Sequence, residues 1–191
     1  METHRLNRGL LENASNVVRD TFRFMTISGE TLRLHWEYTI WASARVMKAA
    51  SELTPEERER NFGTADKSVT GSLAHIFAAD RVWLNRIQGS INPGAFISPE
   101  DRDFALLERE WAPLLERWKQ WAAGLTDESV LAKVAYHDLK GNPQSTALWQ
   151  IVLHVVNHGT HHRGQVSGFL RTMGKVPPAL DLIAFYRENA A

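Results

Sequence analysis

Four histidines fall within nine positions in Leu153-His154-Val155-Val156-Asn157-His158-Gly159-Thr160-His161-His162-Arg163-Gly164-Gln165. His154, His158 and His162 stand four residues apart, so on a helix they form a nearly straight row. Two imidazoles one turn apart can grip one cation from the same face. Three cannot: along a straight helix they spread over roughly 12 Å, against bonds of about 2 Å. The usable pair is therefore His154 with His158 or His158 with His162. Gly159 and Gly164, which allow close approach of a substrate or a neighbouring element, favour His158 with His162. His154 is then expected to be a core residue or a donor behind the ligands, and His161 to face solvent or another helix.

A histidine on an apolar face is, taken singly, most simply a hydrogen-bonded core residue, and for His75 alone that reading stands. The row is harder to explain in this way. Burying several imidazoles with no acid on the same helix face leaves ring nitrogens without partners, and a shared divalent cation removes that cost. The pattern also excludes some chemistry. No glutamate follows the first histidine, as a His-Glu-x-x-His protease would require. The carboxylate-rich ligand set of di-iron bundles is missing from this helix. The chain has no cysteine, so thiolate ligands, disulfides and a cysteine nucleophile are all ruled out. What remains is an imidazole site with open positions, able to act as a Lewis acid or to activate water or a thiol.

The elements that must carry these residues read as helices. The spacing predicts helices over 29–52, from about 68–72 to 88, over 98–123 and over 146–173, with a short one over 179–189. Residues 8–24 are weakly amphipathic, and 56–68 read as a connecting loop. Ile91-Asn92-Pro93-Gly94 reads as a turn. Val130–Tyr136 and the turn Gly141-Asn142-Pro143 suggest a short β-hairpin ahead of the last long helix. On the second helix His75 shares a line with Ala79, Val82 and Arg86, at the edge of the apolar stripe. Four long amphipathic helices make an all-α four-helix bundle, with residues 1–27 as an N-terminal extension and 28–191 as the bundle domain. In such a bundle His75 faces inward from one helix and His158 and His162 from another.

The totals agree with a soluble globular domain: 191 residues, 43% of them hydrophobic and 23% charged. With 22 basic and 22 acidic residues the chain carries no cationic surplus, so nucleic acid is not expected as a partner. No apolar run reaches the ~20 residues of a membrane span. Arg5 and Arg8 are not followed by the apolar segment of a secretory signal, so a cytoplasmic location is expected.

The sequence resembles the DinB-like family of small bacterial metal-binding four-helix bundles. The matching pieces are Tyr38-Thr39-Ile40-Trp41-Ala42-Ser43, Leu73-Ala74-His75-Ile76 with Asp80 and Trp83, the segment Asn157–Gln165, and Asp181-Leu182-Ile183 with Phe185-Tyr186. They span about residues 28–187. Ser43 departs from the Asn that members often carry there. The resemblance implies a metal held by His75, His158 and His162, and a homodimer. Some relatives resemble metal-dependent thiol transferases or isomerases that use a small thiol. The expected function is thus a metal-dependent enzyme that activates water or a low-molecular-weight thiol against a small-molecule substrate. Tyr38, Trp41 and Gln165 are its candidate pocket residues. Zinc or nickel is the first expectation for the metal, with iron, manganese or copper behind them. The alternative is a non-catalytic, stress-associated metal-binding protein. Arg45 and Arg86 are expected in surface salt pairs.

Overall fold

The computed structural model describes residues 27–90 and 96–189. The amphipathic stretch 8–24 and the turn at 91–94 lie outside the described residues. Four long helices form the bundle: α1 (Gly29–Ser51), α3 (Val69–Ile87), α4 (Phe104–Ala122) and α5 (Leu148–Thr172). Short α2 (Pro55–Glu59) and α6 (Leu182–Asn189) complete the helices. The expected hairpin is present, with β1 (Lys133–His137) antiparallel to β2 (Pro143–Ala147) and Tyr136 opposite Gln144.

Local sequence sets the helix starts. Ser28 caps α1 by accepting from the Thr31 amide, and Ser68 caps α3 by accepting from Gly71. Within 56–68, the expected loop, Thr54 and Glu57 form a reciprocal capping box that makes Pro55–Glu59 helical. The loop proper is therefore shorter. The helix expected to start at Ser98 also begins differently. Pro99–Arg102 is a 3-10 turn, and α4 restarts at Phe104 under the Asp103 cap. The reason is Asp101: its buried carboxylate receives the Arg81 guanidinium from α3 and the Ser98 amide, which fixes that turn against α3.

Packing follows the apolar stripes. α5 lies against both α1 and α3, and α4 closes the other side against the same two helices. At the centre Trp36 stacks on Trp118 with ring centroids 4.4 Å apart. Asp80 is buried beneath them: its carboxylate accepts from Trp111 Nε1 at 2.9 Å and its carbonyl from Trp118 Nε1 at 2.8 Å. Burial pushes the Asp80 carboxyl up to about 7, against the opposing pull of the Trp111 bond and the Arg163 charge. Arg45 pairs with Glu188 on the surface as expected. Arg86 does not form a surface pair. It is buried, donates to the His137 carbonyl at 2.8 Å and lies over the rings of Trp83 and Tyr136. Among the described residues no helix is long and apolar enough to cross a membrane.

Candidate metal centre

The 3.6-residue repeat of α5 sets His158 and His162 one turn apart on the side facing α3, where His75 occupies the second turn. The three rings meet. His75 lies 4.3 Å from His162 and 5.0 Å from His158, centroid to centroid, and His158 lies 4.5 Å from His162. One potential ligand nitrogen from each residue falls within 4.8 Å of the other two, a spacing that one cation can span. His75 and His158 are half-buried and His162 is buried.

A carboxylate that the sequence reading missed holds two of these rings. Asp66 Oδ1 accepts from His75 Nδ1 at 2.9 Å, and its Oδ2 lies 3.2 Å from His162 Nδ1 as a charge contact. His162 Nδ1 also faces Gln165 Oε1 at 2.9 Å. A carboxylate and an amide oxygen can only accept, so the proton of His75 towards Asp66 and that of His162 towards Gln165 sit on Nδ1, and Nε2 carries the lone pair in each. The signal for Asp66 could not be read from helix periodicity, because it comes from the 60–68 loop. That loop is pinned at both ends. Phe62 stacks on Phe169 of α5 with centroids 4.3 Å apart and 6° between planes. At the other end Gly71 leaves room for the loop to cross the first turn of α3, since a Cβ there would overlap the Asp66 carbonyl oxygen.

The electrostatics favour the neutral form of His158 and His162. Burial, then repulsion from His162 and His75, pushes the His158 imidazole down to about 3. Burial and His75 also lower His162, with Gln165 and Asp66 pulling the other way. Neutral imidazole is the form that ligates. His158 Nδ1 is buried without a hydrogen-bond partner, an orphaned acceptor or donor of the kind a ligand would relieve. The donor set, three imidazoles with no thiolate, therefore fits a first-row divalent cation.

Residues 25–190 match the DinB family. This chain belongs to the DinB family. It is 26% identical over 148 residues to Protein DinB of Bacillus subtilis (strain 168), covering 73% of this chain and 84% of that protein. Its fold resembles the crystal structure of a DinB-like protein from Bacillus cereus ATCC 10987, with a TM-score of 0.52 and 20% identity over 81% of this chain and 99% of the other.

The remaining candidates in this DinB-family chain separate. Gln165 stands beside His162. Tyr38 and Trp41 do not join the histidines. Tyr38 donates to the Leu180 carbonyl at 2.9 Å, and Trp41 Nε1 donates to Glu188 at 3.0 Å, both on the C-terminal segment. His154 is neither core nor behind the ligands: it is exposed, with its ring edge-on to Trp83 at 5.3 Å. The histidine row continues past the cluster, and the His154 ring is also tilted against His158 at 5.7 Å. His161 is exposed. The space over Gly159 is taken by a side chain of its own helix. The Arg163 guanidinium lies over it, and a Cβ at 159 would sit 2.7 Å from Nη1.

Proposed function

We propose that this DinB-family protein is a metal-dependent enzyme whose His75, His158 and His162 hold a divalent cation, zinc or nickel first among candidates. Its substrate is a small electrophilic molecule, attacked by water or by a low-molecular-weight thiol. The observation that supports this reading is a set of three imidazoles with no fourth protein donor grouped with them among the described residues. Three protein ligands with a position left over is the catalytic pattern; a closed set of four is the structural one. When bound, such a cation lowers the pKa of water or a thiol and polarises the electrophile.

The chain's own groups do the rest. Asp66 fixes the tautomer of His75 and stands against His162, whose own Nδ1 bonds Gln165, before anything binds, which limits reorganisation. Gln165, bonded to His162 and next to His161, offers an amide beside the cluster for orienting a substrate. Phe96, edge-on to His75 at 5.0 Å, supplies an apolar wall. The homodimer implied by the family likeness belongs to the same proposal, and sedimentation equilibrium of untagged protein tests it.

The function itself is tested with protein reconstituted with zinc or nickel and assayed against a panel of small thiols and electrophiles. Turnover that vanishes on chelation, and in His158→Ala, is expected. Stoichiometric metal without turnover for any thiol, or with water alone, would leave the non-catalytic reading in its place.

A further inference from the structure

The helix that carries the metal-site histidines has a second built face. Nine residues at 100° each put Ser167 about 180° round α5 from His158, so what gathers there is separate from the histidine cluster. On that side α5, the first half of α1 and the segment 177–182 line a half-open cavity of about 730 Å³. Volumes of this size hold small molecules.

A polar stripe runs along the wall that α5 contributes. Asn157, Thr160, Gly164, Ser167 and Arg171 follow one another at steps of three and four, which keeps them on one line of the helix. The side chains of Asn157, Ser167 and Arg171 have no intramolecular partner among the described residues. Beneath them lies Arg163, 1% exposed and lining the same cavity. Its guanidinium makes two long hydrogen bonds, to Ser43 Oγ at 3.3 Å and Thr160 Oγ1 at 3.1 Å, while Nε has none. It forms no ion pair among the described residues; the Tyr38 side chain, with its ring centroid 5.6 Å away, and the buried Asp80 carboxyl favour its charge only in part against the cost of burial. An enclosed cation with so few partners is costly unless an anion approaches it. Among the described residues the one acid lining the cavity is Asp181, exposed at its rim. Leu180 and Leu182 of the segment facing α5, with Val156 beside the polar stripe, make the apolar part of the lining.

We propose that this cavity is a binding site for a small molecule with an apolar body and an oxyanion head, carboxylate or phosphoryl. Arg171, Asn157 and Ser167 donate to the head group. Arg163 supplies positive potential from below, held in position across Gly159. The apolar body lies against Val156, Leu180 and Leu182. The site does not depend on the metal centre.

Calorimetric titration with phenyl phosphate, benzoate and neutral phenol, at matched ionic strength, tests the proposal. Either anion should bind saturably and about tenfold or more tighter than phenol, and the better of the two identifies the head group. Arg171→Ala should weaken that anion by about tenfold, and Ser167→Trp, which fills the cavity from its open side, should abolish binding. Both positions lie away from the packed core, and circular dichroism checks that the variants fold. Binding should persist with chelator present. No saturable binding of either anion, equal affinity for phenol, unchanged affinity in both variants, or binding lost on chelation would each overturn the proposal.

Discussion

Asp66 links the sequence to the chemistry of the site. Its two oxygens reach Nδ1 of His75 and of His162, so one side chain sets the orientation of two of the three imidazoles. Hydrogen-bond partners behind metal ligands typically contribute 10–100-fold in affinity. Asp66→Ala is therefore expected to weaken zinc binding by about that factor, read by competition with a chelating dye, with Asp66→Asn intermediate. Unchanged affinity in both would show that the carboxylate plays no part in orienting the rings. Asp80 allows a second test at this scale. Its carboxyl titrates near 7 when folded, against 3.8 for the free side chain, so between those values the native state holds a proton that the unfolded chain releases. Stability from this group is fully present below about 4 and declines as pH rises towards 7. Asp80→Asn keeps the acceptor for Trp111 and removes the titration. Relative to wild type it should gain on the order of a few kcal/mol between pH 4 and 8 in urea melts, and a flat difference would contradict the assignment.

At the scale of elements, the site depends on a loop being held where two helices meet. Gly71 makes that possible by having no Cβ where the Asp66 carbonyl crosses α3. Gly71→Ala should destabilise the protein by about 1–3 kcal/mol in thermal or urea melts and also lower metal affinity, because the displaced group is the one that carries the clamp. Destabilisation with full metal affinity would mean that the loop re-seats independently of the site. The long helices were legible in advance because their apolar stripes repeat over many turns. His75, His158 and His162 were legible because helical periodicity fixes which residues share a face. The 60–68 segment was not legible. Its position comes from the Phe62–Phe169 stack and the missing Cβ at 71, contacts between parts distant in sequence that leave no period behind. His154 shows the complementary limit. Periodicity placed it correctly in the row, where it touches Trp83 and His158 yet remains exposed, because a shared line on a helix does not fix burial at each turn.

For the whole molecule, the bundle brings together residues more than 80 positions apart in sequence, from α3 and α5, and leaves Tyr38 and Trp41 on the opposite side against the C-terminal segment. α5 lies between α1 and α3, so it presents histidines to one neighbour and Arg163 with its polar stripe to the other. On the first of these faces three imidazoles stand close enough to share one cation. Elemental analysis by plasma mass spectrometry of untagged, gel-filtered wild-type protein beside His75→Ala, His158→Ala and His162→Ala tests this sharing most directly. Close to one equivalent of a single first-row metal is expected per wild-type chain, with a substoichiometric load in each of the three folded variants. A wild-type protein purified without metal that also fails to take up added zinc or nickel, or variants that load as fully as wild type, would contradict it.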